Sequence, residues 1–577
     1  MKISVSENFH IVSDDMFGGN LLANRDDIST TSTYSDLISD LGVTSLRYPG
    51  GSLTEYYFDI NDPDQTTIAD LTGNFNGDTS EKDFVALSDF MSFSAERGIS
   101  VTIVIPTRTY LTTGVDENGD RFADIDEEVL RSFIQDVVSG EYGEASIDAF
   151  ELGNEYWGSG EMSSVEYGRV ASEMASIIDD ELASLSLSIE DAEKIKILVQ
   201  SGHNWGDAKL SDEYTDMTST EVISELNDSY GLDLDSKALY SDGTVNWTYV
   251  SNKLVLSEFS ENELEAVDGI TPHLYTSDSE FEDEVSYITN QIDRTWGEEK
   301  PGIQIYVTEW NQNTSGYGLD RDEDYGLWQG QEILETFEEM VAAGVDGADI
   351  WPLLQNTANA LSQGFEYETL TPAGEVFSLM AESLPGKALV ETSDDQDHSD
   401  LYFYYGNDEA VMFIAADEDQ TISLDLSDIM TEIGSVTAVK VGVSDQSEVG
   451  SSRAETVLTE FGNDDLVDGS SLKFDLQAGE VMQISIVDFE PTSEFQNVMD
   501  DVDTLLELAE DDDEPTDVDV PVDTEDPVDD VVDLPTVDPV DDEENSENED
   551  DDGGGGDSGF GFLGFALLVP LALLGIA

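Results

Sequence analysis

Two glutamates stand in the surroundings that carboxylate chemistry requires. Glu155 lies within the run Phe150-Glu151-Leu152-Gly153-Asn154-Glu155-Tyr156-Trp157, and Glu309 lies within Tyr306-Val307-Thr308-Glu309-Trp310-Asn311. Each closes a β-rich run, with an Asn or Thr before it and an aromatic after it. Two carboxyl groups can divide labour: one attacks as the ion, while the other, kept protonated, donates to a leaving group. Cleavage of a glycosidic bond with retention needs such a pair about 5–5.5 Å apart. The neighbouring Trp157 and Trp310 would serve as sugar-stacking surfaces. One glutamate among 130 acidic residues could fall at a strand end by chance. Two with matching flanks weigh the other way.

Such a pair must be brought together from distant parts of the chain. Residues 1 to about 380 alternate short β-rich apolar runs with amphipathic stretches, the pattern of βα units around a parallel sheet. Eight runs read as strands: 14–20, 43–51, 99–108, 147–156, 195–202, 267–275, 303–311 and 347–356. Helical stretches are clearest at 33–40, 81–97, 126–138, 163–186, 281–295 and 327–343. Eight such units predict an α/β fold, a (β/α)8 TIM barrel, whose sites form at the C-terminal strand ends. Glu155 then ends strand four and Glu309 strand seven, across the mouth from each other. The barrel is assigned to 1–384. Residues 385–489 alternate strands with Asp, Gly and Asn turns and predict a C-terminal antiparallel β-sandwich. From 490 to 557 the chain is dominated by Asp, Glu, Pro and Val and is expected to be an acidic disordered linker. Residues 558–577 form an apolar tail.

The motifs in this order resemble those of clan A glycoside hydrolases, and most of all the family 51 α-L-arabinofuranosidases. Asn154-Glu155 matches the clan's Asn-Glu after strand four, which implies Glu155 as acid/base and Asn154 as holder of the sugar 2-OH. Glu309 matches the nucleophile after strand seven. Arg47, in Leu46-Arg47-Tyr48-Pro49-Gly50-Gly51, takes the place of the arginine that supports the nucleophile. His273-Leu274-Tyr275 matches the pair after strand six, with Tyr275 hydrogen-bonding the nucleophile. Trp351, after strand eight, matches the stacking platform of many members. The resemblance spans about residues 14–380 as motifs, and the sandwich as architecture. Two positions depart from the family: Gly19-Asn20 stands where an acidic residue usually follows strand one, and Thr308 precedes Glu309 in place of Asp. The resemblance is therefore stronger to the clan than to the family. It also leaves a β-xylosidase, a β-glucuronidase or an endo-glycanase as alternatives.

The two roles set physical demands. Glu155 must be held protonated, by Glu309 nearby and by low-dielectric aromatic walls. Glu309 must stay ionised, with Arg47 and Tyr275 supplying the charge and the hydrogen bond. Once Glu309 is glycosylated, its charge is gone and Glu155 can act as base on water. His203, Asn204 and Trp205 could line a subsite or simply cap a turn. Glu55, Tyr56 and Tyr57 could meet sugar, though the tyrosines fit packing better. Gln355 and Asn356 could hydrogen-bond a sugar. Gly50 and Gly51 suit a tight turn, since no phosphate-binding string accompanies them.

Composition narrows the partners. Of 577 residues 130 are acidic and 21 basic, a formal net charge of -109. Thirty acids and no base lie from Glu490 to Asp557, leaving 100 acids against 21 bases in the rest. That excess excludes nucleic acid, which needs Lys and Arg clusters, and points to a saline setting where salt screens self-repulsion. No cysteine is present, and the four histidines (His10, His203, His273, His398) are scattered. Neither a metal nor a cofactor is expected, and the expected ligand is carbohydrate. The N-terminal run MKISVSENFHIVSDD has no apolar h-region. At the other end, Gly559–Ala577 is an uncharged apolar run of 19 residues behind four glycines, long enough to span a bilayer. It resembles the sorting tails of prokaryotic surface proteins. The expectation is a cell-surface or extracellular protein, anchored to the membrane through this tail. Two non-enzymatic alternatives are a surface glycan-binding protein on a degenerate barrel and a calcium-dependent structural surface protein.

Overall fold

The computed structural model describes residues 5–69, 81–185, 194–204, 209–277, 284–315, 318–392 and 399–511. Most of the acidic linker and the apolar tail fall outside them. Among the described residues, no helix is long and apolar enough to cross a membrane.

Eight parallel staves form a closed barrel. They are Gly18–Asn20, Ser45–Tyr48, Ser100–Ile105, Ile147–Leu152, Lys196–Gln200, Gly269–Thr271 continued by His273–Thr276, Gln304–Gln312 and Gly347–Ile350. The eighth pairs back onto the first, Asp349 opposite Gly18 and Ile350 opposite Gly19. Pro272 interrupts the sixth, because proline has no N–H to give a ladder. Six lie within the runs predicted, and the sixth and seventh staves overrun theirs by one residue each, at Thr276 and Gln312. The helices Tyr34–Leu41, Leu87–Ala95, Glu127–Val138, Ser164–Ser184, Glu284–Ile292 and Leu327–Ala342 also lie where their periodicity put them, with ends shifted by a few residues. Ser163 and Glu166 close a reciprocal capping box at the start of the longest of these. The expected helical stretch 81–97 opens instead on a short strand, Glu81–Asp83, paired with Thr67–Ala69.

A seven-stranded antiparallel sheet and a three-stranded one follow the barrel. Ile414, Met412 and Ile484 of the larger meet Ile422, Leu424 and Leu472 of the smaller in one apolar core, a sandwich. Two boundaries differ from expectation. Val5–Ile11 leaves the barrel region and pairs with Ala388–Thr392 as the edge of the large sheet. Val12 and Gly386–Lys387 continue that pairing, tying the chain's entry to the barrel to its exit. At the other end, ordered structure runs past 490: Glu490–Pro491 pairs with Met430–Glu432, and Ser493–Asp511 is a helix. Phe495, Val498, Met499 and Val502 stand one helical turn apart and bury against the sandwich core. Acid-rich composition masked this stripe.

The barrel's interior is polar where most barrels hold aliphatic layers. Asn20, Ser45, Arg47, Thr102, Glu151, Gln200, Thr308 and Asp349 are all buried there. All but Thr102 hydrogen-bond one another rather than pack as hydrocarbon, and this network is the floor of the site above.

Candidate active site

Arg47 is the centre of the floor. It is wholly buried, and each of its five N–H donors has a partner. Nε and Nη2 grip Glu151 at 2.6 and 2.8 Å. Nη1 reaches Glu309 Oε1 at 2.8 Å and Asn20 Oδ1 at 3.0 Å, and Nη2 reaches Asn154 Oδ1 at 2.9 Å. Strands one, two, four and seven are thereby joined at one guanidinium.

A bulge aims Glu309. Strand seven advances three residues, Val307 to Trp310, while strand eight advances two, Ala348 to Ile350. The extra residue breaks the two-residue alternation. Thr308 therefore reaches inward to Glu151 at 3.3 Å, and Glu309, the next residue, also faces inward. Tyr275 donates to Glu309 Oε2 at 2.9 Å. Burial alone would raise the Glu309 pKa, but His273, Arg47 and the Tyr275 hydrogen bond outweigh it and hold Glu309 below the usual glutamate value.

Glu155 comes from the turn after strand four. Gly153 and Glu155 both take positive φ, 78° and 45°. For Gly153 that is an ordinary turn conformation; for glutamate it is a strained one, of the sort that recurs at functional sites. Glu55 supports this turn from beneath. Its buried carboxylate accepts the backbone N–H groups of Thr107, Arg108 and Asn154. Glu155 is only 7 % exposed. Burial first, and the charge of Glu309 after it, push its pKa up against the opposing pull of His273.

His273 lies between the carboxylates, Nδ1 3.4 Å from Glu155 Oε1 and 3.6 Å from Glu309 Oε2. Burial would strip its proton, yet the two glutamates together raise its pKa. Glu155, His273 and Glu309 each bring one ligand atom within 4.8 Å of the others. A cation would fit that spacing. Both Glu309 oxygens are already engaged, however, one of them by a cationic guanidinium, so the cluster is better suited to sharing protons than to holding a metal.

Aromatic residues wall the mouth. Trp157 stacks on His203 with centroids 4.7 Å apart and meets His273 edge-on at 6.1 Å. His203 is half-buried, and its desolvation, with His273 nearby, pushes its pKa down to about 3 and keeps it neutral. Trp351 stands over Gly51: a Cβ there would lie 3.4 Å from the indole and 3.8 Å from Glu309 Oε1. Gly51 therefore keeps the space between the Trp351 ring and the Glu309 carboxylate open. Asn311 holds the Trp351 carbonyl at 2.8 Å.

The structure thus brings together Arg47, Asn154, Glu155, His273, Tyr275, Glu309 and Trp351. Trp310 does not join them. Its ring is fully buried between barrel and helices, against Phe337 and Phe377, because the bulge turns Glu309 inward and so turns its successor outward. It cannot stack on a sugar. Asn204 bonds within its own loop to Ser211, and Trp205 lies outside the described residues. Tyr56 is covered by the Arg108 guanidinium, 4.5 Å from its centroid. Sequence reasoning missed Glu151, Asn20, Gln200 and Glu55 as parts of the site's support. A signal existed for Glu151, since strand alternation puts it on one face with Gly153 and two residues short of it.

No family model matches the sequence, and no curated protein matches it. Solved structures do match in fold. An α-L-arabinofuranosidase from Thermotoga maritima superposes with a TM-score of 0.57 at 15 % identity, covering 84 % of this chain and 99 % of that one. A family 51 α-L-arabinofuranosidase from Bifidobacterium longum gives 0.57 at 14 %, with the same coverage. A 4-O-α-L-rhamnosyl-β-D-glucuronidase from Fusarium oxysporum gives 0.52 at 13 %, covering 84 % and 100 %. At such identities the likeness is one of architecture: this chain has the barrel-and-sandwich fold of those enzymes over nearly their whole length.

Proposed function

We propose that the protein is a retaining glycoside hydrolase acting on a polysaccharide or its fragments, with α-L-arabinofuranosides as the leading substrates. The observation that carries this reading is the carboxylate pair. Two buried glutamates lie with oxygens within 4.8 Å, one pushed towards its acid form and the other towards its ion. That spacing leaves no room for a water between carboxylate and sugar and suits double displacement.

In the first step Glu309 attacks the anomeric carbon while Glu155 gives its proton to the departing oxygen. The glycosidic C–O bond breaks and an ester to Glu309 forms. Esterification removes the charge that helped keep Glu155 protonated, and the Arg47 and Tyr275 contacts lose their anion. Glu155, now the base, takes a proton from water as that water attacks the same carbon and releases Glu309. Asn154, held by Arg47, is placed for the hydroxyl next to the anomeric carbon. Trp351 supplies an apolar ring face for the sugar.

The resemblance in motif order and the shared fold support this reading; a β-xylosidase, β-glucuronidase or endo-glycanase would use the same pair. Hydrolysis of an aryl-glycoside panel by the wild type, Glu155→Ala and Glu309→Ala tests it. One sugar should be cleaved, Glu309→Ala should be inactive, and azide should rescue it with inverted product. Unaltered turnover in either variant would sink the assignment. The acidic linker and the apolar run 559–577 support a surface-anchored enzyme in a saline setting; recovery of the intact protein from the cytosolic fraction would refute that placement.

A further inference from the structure

Arginine is scarce here, ten residues in 577. In so acidic a chain each should find a carboxylate. Six do: Arg47, Arg97, Arg108, Arg121, Arg131 and Arg169. Among the described residues four have no carboxylate within ion-pairing distance, and three of these, Arg25, Arg321 and Arg453, converge on one loop. It is the loop that leaves strand eight at Trp351 and runs to Phe365, on the same face of the barrel as the carboxylate pair.

These arginines are held by neutral acceptors, so their charge is not cancelled. Arg25 Nη2 donates to the carbonyls of Leu354 and Gly364. Arg321 uses Nε on Ser452 Oγ at 3.1 Å, Nη1 on the Asn356 carbonyl at 3.5 Å, and Nη2 on Gln363 Oε1 at 3.1 Å. The guanidinium of exposed Arg453 makes one bond, to Asn356 Oδ1 at 3.3 Å. Asp26 and Asp322 act on Arg25 and Arg321 only at longer range. Beside Arg25 lies Phe365, a residue 63 % exposed whose ring centroid is 5.3 Å from the guanidinium. No other large apolar residue among those described is so exposed.

Arg453 belongs to the sandwich, and the sandwich is seated firmly. Tyr325 and Leu327 donate their N–H groups to the carbonyls of Gly450 and Val449, and Ser452 donates to that of Arg321. A Cβ at Gly450 would stand 1.8 Å from the Glu323 carbonyl oxygen, so only glycine allows this approach. Two like charges, Arg321 and Arg453, are thus fixed near one another at the rim. Such an arrangement costs free energy that a bound anion would recover.

We propose that this loop, with Arg321, Arg453, Arg25 and Phe365, is a subsite for an anionic group on the glycan, a uronate carboxylate or a sulfate ester, outside the sugar that is cleaved. It rests on the glycosidase reading and narrows the substrate to acidic glycans. The planar guanidinium fork suits either oxyanion, and Phe365 offers a face for the sugar that carries it.

Calorimetric binding of the full chain to neutral, glucuronate-bearing and sulfated xylo-oligosaccharides, at one fixed ionic strength, tests it. A charged oligosaccharide should bind at least tenfold more tightly than the neutral one, and whichever gains more identifies the group. Arg453→Ala, an exposed change, and Arg321→Gln should each remove most of that preference. Turnover of a neutral aryl glycoside should be unchanged in both. Equal affinity for all three sugars, binding of none, or a preference that survives both substitutions overturns the proposal. Failure of the glycosidase reading would appear separately, as no turnover of any aryl glycoside.

Discussion

Arg47 and Glu151 form a two-pronged ion pair, 2.6 and 2.8 Å, with neither side chain exposed to solvent. Glu309 holds the same guanidinium by a single bond at 2.8 Å. Arg47 therefore gives most of its charge to a residue that never meets substrate, and Glu309 receives the remainder. In the proposed mechanism this division would leave the ion at Glu309 stabilised but still able to leave its partner for carbon.

Removing the competitor shifts that balance. Glu151→Gln keeps the shape and deletes the charge, so Arg47 acts more fully on Glu309. The acid limb of kcat/KM should move to lower pH, and kcat should fall about tenfold with KM little changed, because a more tightly held carboxylate is a poorer nucleophile. A limb moving to higher pH would instead mean that Glu151 serves only to orient Arg47.

His273 acts on both glutamates in the same direction, lowering the pKa of each. The proposed mechanism requires Glu309 ionised, which would set the acid limb, and Glu155 protonated, which would set the basic limb. His273→Gln should therefore move both limbs to higher pH, shifting the whole profile without narrowing it. A shift confined to one limb would show that the histidine couples to one carboxylate alone.

Much of this was legible in the sequence because two periodicities carry it. Eight β-rich runs spaced by helical stretches announced the barrel, and Glu155 and Glu309 sat at ends of those runs. What escaped notice lay where local pattern and three-dimensional context part. The bulge between Val307 and Trp310 has no composition signature, so Trp310 looked like a neighbour of substrate when it faces the helices. Phe495, Val498, Met499 and Val502 kept a helical period inside a run whose acidity suggested disorder. Glu151 looked like one more acid because its partner is 104 residues away.

The two tryptophans make the bulge testable. Trp351→Ala removes the ring over Gly51 and should raise KM about tenfold, with the fold intact. Trp310→Phe trims a ring packed on Phe337 and Phe377; it should leave KM within about twofold and cost about 1–3 kcal/mol of stability. A large KM effect at Trp310 would place its ring in the site and contradict the register seen here.

Stability should depend on pH through the closed end of the barrel. Asp148, which accepts a hydrogen bond from Ser100, lines a polar cavity there with Asp15 and Asp349. Burial pushes the Asp148 pKa up to about 7 from an ordinary 3.8. Between those values the folded chain keeps a proton that the unfolded chain has lost, so stability falls as pH rises from about 4 to about 7 and then levels. Asp26 and Glu335, pushed up by burial to about 6 and about 7, act in the same window. Asp148→Asn cannot lose a proton, and its melting temperature should decline less steeply than that of the wild type between pH 5 and 7, with the largest gain at and above pH 7. Parallel curves for the two proteins would mean that Asp148 is ionised in the folded state across that range.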